Sequence, residues 1–127
     1  QRGIGFYILQ QTIWKGSKLM SLTQKTCVPC QGGIPPLTPD EAAGFMDQVP
    51  GWVLSEAGDR INRKFTFDDF VASLDFVNKV GALAEEEGHH PDMGFGWGYA
   101  AIEIFTHKIK GLHENDFILA AKINELV

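Results

Sequence analysis

Apolar positions recur along this chain with two different periods, and the switches between them divide it into elements. Ala42, Phe45, Met46 and Val49 fall at i, i+3, i+4 and i+7, the stripe of a helix that buries one side. The start is signalled just upstream. Thr38 can cap, Pro39 suits the first helical position, and Glu41 completes a capping box. Pro50-Gly51 ends the helix. The period then drops to two. Trp52-Val53-Leu54 and residues 60–67 read as strands, joined by a turn at Glu56-Ala57-Gly58-Asp59. In the second strand Ile61, Arg63, Phe65 and Phe67 share one parity, and Asn62, Lys64 and Thr66 the other. That alternation predicts a strand covered on one face.

Residues 68–86 return to the helical period. Phe70, Leu74, Val77, Gly81 and Ala84 form the expected stripe, widened by Val71, Val80 and Leu83. Thr66-Phe67-Asp68-Asp69 supplies a cap pattern, and Gly88 a C-terminal stop. Glu85-Glu86-Glu87 places acids at a helix C-terminus, against the macrodipole, which hints that at least one has another job. For Glu86 and Glu87 a solvated acidic helix end is the competing reading. The last segment, 114–127, is again helical. Phe117, Ala120, Ala121 and Asn124 lie on one stripe, with Leu119, Ile123 and Leu126 beside it. The order helix, two strands, helix, two strands, helix predicts an α+β fold, two antiparallel hairpins with helices over one face.

The second hairpin lies between Pro91 and Thr106. A two-residue turn at Gly98-Tyr99 would set Met93 opposite Ile104, Phe95 opposite Ile102, and Trp97 opposite Ala100, all apolar and all on one side. The same register pairs His90 with His107, with Cβ atoms about 4.5–5.5 Å apart. The other face carries Asp92, Gly94 and Gly96 beside Ala101, Glu103 and Phe105. Its two glycines leave room for a flat body to approach.

Composition narrows the class. The chain has 127 residues, enough for one domain, and a net charge of −5, which argues against a nucleic-acid backbone binder. No apolar run nears the roughly 20 residues that cross a bilayer. Residues 1–26 hold no acid and carry Arg2, Lys15, Lys18 and Lys25. With Gly16-Ser17-Lys18-Leu19 standing like a cloning junction before Met20, they read as a leader or added extension, poorly ordered and outside the fold. Residues 27–127 then form the one domain. The two cysteines make Cys27-Val28-Pro29-Cys30. No second pair completes a zinc site, though histidines from elsewhere could, and no βαβ pattern surrounds a redox motif. Two reduced thiols in a turn is the simplest reading.

The chemistry concentrates in residues 85–116. All four histidines, His89, His90, His107 and His113, lie there among carboxylates. Histidine is the side chain best suited to give and take protons at neutral pH. A zinc centre is the competing reading, but adjacent histidines in a strand diverge and no H-E-x-x-H spacing is present. Histidines merely exposed on a hairpin are the other alternative. Clustering and the expected His90–His107 pair favour acid–base work on a flat ligand.

The pattern Glu85-x3-His89-His90-Pro91, an aromatic at Trp97, His107 after Thr106, Gly111-Leu112 and then Asp116 resembles the pterin-4α-carbinolamine dehydratases. Trp52, Phe65-Thr66-Phe67, Ala72 and Phe76 fit as well, so the resemblance spans about residues 37–127. It implies a four-stranded antiparallel sheet with helices on one face. It implies dehydration of 4a-hydroxytetrahydropterin to quinonoid dihydropterin, in tetrahydropterin recycling, with no cofactor and no metal. Of the catalytic set His89, His90 and His107, it makes His89 and His107 the acid–base pair and gives His90 the positioning of the pterin. Glu85, Pro91, Trp97, Thr106 and Asp116 bind substrate or support the site, Asp116 by orienting His107. Further implied are a cytoplasmic homodimer or homotetramer with a small pterin as partner, without membrane or direct nucleic-acid contact. Mammalian relatives also act as dimerisation cofactors of a transcription factor, so a non-catalytic binding module is the alternative. One position departs from the family. His113 stands where Thr or Ser usually caps the last helix, which predicts a weaker cap and a less rigid Asp116.

Overall fold

The computed structural model describes residues 21–28 and 32–127. Cys30 and the first twenty residues lie outside them. Helix α1 (Pro39–Phe45) starts as expected. Thr38 Oγ1 accepts the Glu41 N–H at 3.2 Å, and Glu41 accepts the Thr38 N–H at 2.8 Å. The stripe beyond it tightens into a 3-10 turn, Met46–Gln48. Strands β1 (Val53–Leu54) and β2 (Ile61–Thr66) form the first hairpin. Helix α2 (Phe70–Glu87) crosses to β3 (Asp92–Gly96), which turns into β4 (Tyr99–Ile104). A 3-10 turn, His107–Ile109, leads to helix α3 (Glu114–Asn124). The sheet is antiparallel, in the order β1-β2-β4-β3, so the hairpins join through β2 and β4.

Alternation decides which face is covered. Ile61 and Phe65 of β2, with Ala100, Ile102 and Ile104 of β4, are buried, whereas Asn62, Lys64 and Thr66 are exposed. Phe76, Val80 and Ala84 of α2 and Phe117, Ala120 and Ile123 of α3 complete the core. Trp52 meets Phe65 edge-on with centroids 6.2 Å apart, and its Nε1–H donates to Asn124 Oδ1 at 2.8 Å.

Three expectations shift. Helix α2 turns Ser73, Phe76, Val80 and Ala84 inward and leaves Phe70, Val71 and Leu74 exposed. Apolar residues surround this helix, so its sequence carries no unique stripe. Fully buried Ser73, which donates to the Asp69 carbonyl at 3.1 Å, takes a position that a hydrophobic count passes over. The cap is Asp69, accepting from the Ala72 N–H at 2.8 Å, and not Thr66, which stays in β2.

The second hairpin is set two residues from the expected register. Met93 faces Ile102, Phe95 faces Ala100, and Gly96 faces Tyr99, so the loop is Trp97-Gly98. Gly98 has φ +83, a left-handed backbone that glycine adopts at no steric cost. The Phe67 N–H donates to its carbonyl at 2.8 Å, and its own N–H reaches the Asp69 carbonyl at 3.4 Å. The corner between β2 and α2 therefore grips the turn. A shift of two preserves parity, so the faces stand. The ladder, however, ends at Asp92 and Glu103, and His90 and His107 are not a cross-strand pair.

Residues 21–26 are the third. Leu22 is buried in the core, and Lys25 pairs with Glu114. This stretch covers the outer side of α3, which is why α3 is buried all round from Asn115 to Ala121 rather than along one stripe.

Candidate active site

The site forms where three chain turns meet. Gly88 ends α2 in the left-handed conformation, φ +66, and the His89 N–H still reaches back to the Ala84 carbonyl at 3.2 Å. This helix stop sets down His89 and His90 beside the start of β3. On the facing side, a bridge between Thr106 and Gly111 cinches the loop that carries His107. Lys110 closes that loop at φ +53, an uncommon value for a residue other than glycine. Between the two turns lies a cavity of about 430 Å³, lined by Gly88, His89, His90, Pro91, Asp92, Thr106, His107 and Lys108, with Val28 at its rim. A cavity of this size suits a small bicyclic ligand.

Asp116, wholly buried in the first turn of α3, organises the inner wall. One oxygen accepts from His89 Nε2 at 2.6 Å. The other accepts from Thr106 Oγ1 and from the His113 backbone N–H, each at 2.8 Å. A carboxylate only accepts, so this network assigns the ring proton of neutral His89 to Nε2. Nδ1 then keeps its lone pair, and among the described residues nothing bonds to it.

The expected link between Asp116 and His107 is not formed. Asp116 holds His89 instead, because His107 follows the Thr106 bridge outward while His89 drops from the helix stop onto α3. His107 packs on Phe105 with centroids 4.1 Å apart, and its Nε2 lies 3.9 Å from Asp92 Oδ2. Arg60 also lies over the Phe105 ring, 4.3 Å from its centroid, and bonds to Glu103 at 3.1 Å. His90 turns to solvent and meets Glu85 Oε2 at 2.5 Å. His113 is the α3 N-cap. Its Nδ1 accepts the Asn115 N–H at 3.3 Å, a long bond, while Asp116 accepts from three donors.

His89, His90, Pro91, Thr106 and His107 thus share one cavity. Glu85 and Asp116 reach it through His90 and His89, while Trp97 stands at the hairpin tip, exposed and outside the lining. Asp92 and Lys108 are lining residues that the histidine count does not single out. Asp92 had a weak signal in its parity, and Lys108 had none. The glycine-bearing sheet face holds a separate, shallower hollow between Asn62, Lys64, Gly94 and Ala101.

Next to Gly88, the end of α2 carries a half-buried ion pair. Lys122 Nζ lies 2.6 Å from Glu87 Oε2, and the Cys27 N–H donates to Glu87 Oε1 at 2.9 Å. Burial alone would raise the Glu87 carboxyl. The Cys27 N–H and the Lys122 ammonium outweigh it and hold Glu87 below the usual carboxylate range. Burial, followed by the Glu87 charge, pushes the Cys27 thiol up to about 12. Of the acids at the α2 C-terminus, Glu85 meets His90 at the surface, and Glu87 is tied to Lys122 and the Cys27 N–H.

Four antiparallel strands, helices on one face and a histidine-walled cavity define a small α+β protein with a site suited to proton transfer. The chain belongs to the Pterin 4 alpha carbinolamine dehydratase family, a family of hydro-lyases, whose model matches residues 35–126. A relative from Methylococcus capsulatus, provisionally named a pterin-4-alpha-carbinolamine dehydratase, is 59% identical over 106 residues, 84% of this chain and 93% of that one. A second, from Cupriavidus pinatubonensis and named in the same way, is 53% identical over 105 residues, 83% and 90% of the two chains. A solved Brucella melitensis structure, described as a transcriptional coactivator/pterin dehydratase, superposes with TM-score 0.67 at 27% identity. It covers 72% of this chain and 97% of its own. A pterin dehydratase-like protein described as a RuBisCO assembly factor in the alpha-carboxysome aligns with TM-score 0.52 at 25% identity, over 60% and 88% of the two chains.

Proposed function

We propose that the protein dehydrates 4a-hydroxytetrahydropterin to quinonoid dihydropterin, by histidine general acid–base catalysis, in tetrahydropterin recycling. The observation that carries this reading is the His89–Asp116 pair on the wall of a cavity that also holds His107. The reaction breaks the C4a–O bond and removes the N5 proton. The hydroxyl leaves as water after receiving a proton, and a C4a=N5 double bond forms. His89 suits the role of base, because its Nδ1 lone pair is free to take a proton and Asp116 stabilises the imidazolium that results. His107, on the facing turn, supplies the proton to the leaving hydroxyl. His90, oriented by Glu85, positions the ring, and Pro91 offers it an apolar surface. Thr106 acts on Asp116. No step calls for a metal or an organic cofactor.

The purified protein should shorten the lifetime of the carbinolamine formed in a phenylalanine-hydroxylation assay. A lifetime equal to the spontaneous one contradicts the reading.

The protein works as a cytoplasmic homodimer or homotetramer in this proposal. Phe70, Val71, Leu74, Phe95 and Trp97 leave apolar surface on α2 and the β3 hairpin, with the Phe70 and Phe95 rings 5.7 Å apart, which supports self-association. A monomeric mass in sedimentation would contradict it. Trp97 would meet substrate only through such an assembly. The Brucella relative is described as a transcriptional coactivator as well as a pterin dehydratase, which favours a second, protein-binding role. A His89→Ala variant separates the two, since binding to a partner would survive it and dehydration would not.

A further inference from the structure

The segment 21–28 is bound more closely than a loose extension requires. Leu22 anchors it in the core, and Lys25 reaches Glu114. Cys27 donates its N–H to half-buried Glu87, and its thiol lies 3.6 Å from the Asn115 carbonyl. The final contact is two-sided. Val28 N–H donates to Asn115 Oδ1 at 3.1 Å, and Asn115 Nδ2 donates to the Val28 carbonyl at 2.7 Å. A carboxamide is the one neutral side-chain head that both accepts and donates in this way. Asn115, 2% exposed, therefore reads the Val28 backbone much as a neighbouring strand would. It adjoins Asp116, so one turn of α3 fixes both His89 and this segment.

Val28 itself is 56% exposed and is one of the residues that line the cavity. The rest of the lining is polar or charged apart from Gly88 and Pro91. A flat fused ring needs apolar area to lie against, and Val28 and Pro91 are where this cavity supplies it.

The relatives differ in how far they reach over this segment. The family model begins at residue 35. A 106-residue match within this chain must begin at or before residue 22, so the Methylococcus relative aligns across the segment. The Brucella chain spends 97% of its length on 72% of this one, about the length of residues 35–126 alone.

We infer that Val28, at the end of the docked segment 21–28, forms part of the wall of the substrate cavity as a specificity-determining contact to the pterin ring, and that Asn115 is the positioning residue that latches it. The inference rests on the pterin reading above and deepens it. Val28→Gly removes the apolar contact, and Asn115→Ala removes the latch. Each should weaken binding of a 7,8-dihydropterin, followed by fluorescence titration, and raise the KM for the carbinolamine, both by about 5–10-fold. Each should leave kcat within about twofold, since neither group touches a transferred proton. Val28→Leu should restore wild-type binding, which a merely structural defect would not allow. Because the Val28 side chain is exposed, Val28→Gly folds whatever Asn115→Ala does. Dihydropterin binding by Val28→Gly and Asn115→Ala equal to wild type overturns the wall, whether or not the protein is a dehydratase. Wild-type binding that Val28→Gly weakens, without dehydration, supports the wall and overturns the proposed function. A wild-type protein that binds no dihydropterin overturns both.

Discussion

His89 and Asp116 are joined at 2.6 Å, the imidazole nearly buried and the carboxylate entirely so. They lie 27 positions apart in the chain, yet the α2 stop and the α3 start place them in contact. Asp116→Asn keeps the shape and loses the charge that stabilises an imidazolium. The kcat for dehydration should fall by about 10²–10⁴-fold, with a much smaller change in KM. Steady-state kinetics on the carbinolamine reads both.

Thr106 should matter through Asp116. Its hydroxyl is buried and donates to Asp116 Oδ2 at 2.8 Å. Thr106→Val leaves that oxygen one donor short in a dry site, so unfolding in urea should show a loss of about 1–3 kcal/mol.

Glu87 and Lys122 carry a stability test with a defined sign. Lys122→Met leaves a half-buried carboxylate without its cation and should cost about 1–3 kcal/mol, whereas Glu87→Gln with Lys122→Met together should cost less. The folded Glu87 carboxyl lies below its ordinary value of 4.5, so its contribution is complete above that value. The contribution is lost as pH falls through the lower folded value. Melting temperatures of wild type and Glu87→Gln should differ at neutral pH and converge in acid.

Cys27 should be inert in the folded state. With its thiol pushed up to about 12, almost no thiolate exists at pH 8. Alkylation mapped by mass spectrometry should modify Cys27 at least ~100-fold more slowly in the native protein than in the unfolded chain.

The fourth histidine is a cap. Threonine ranks among the favoured N-caps, and the His113 Nδ1 bond is long at 3.3 Å. His113→Thr should add about 0.5–1 kcal/mol to the unfolding free energy and leave dehydration unchanged.

Much of this architecture is written locally. Thr38-Pro39-Asp40-Glu41 starts α1, the alternation of Ile61 and Phe65 against Asn62 and Lys64 assigns the covered face, and Gly88 stops α2. The gathering of His89, His90 and His107 also follows from sequence order once the helix stop and the strand ends are placed. What escapes is set by long-range contacts. The hairpin register depends on Phe67 and Asp69 holding Gly98, which no pattern within residues 91–106 contains. The partner of Asp116 depends on how two turns settle against α3, so a carboxylate expected beneath His107 lies beneath His89. Residues 21–28 lack the acids and periodicity of a folded element, because Asn115 and Glu87 supply their hydrogen bonds from elsewhere.

The central claim is that His89, held by Asp116, moves a proton during loss of water from the carbinolamine. Its most direct test follows carbinolamine decay by stopped-flow absorbance with wild type and His89→Ala at equal concentration. Wild type should accelerate the decay well beyond the spontaneous rate, and His89→Ala should retain no more than about 1% of that acceleration. A His89→Ala protein as fast as wild type would contradict the account.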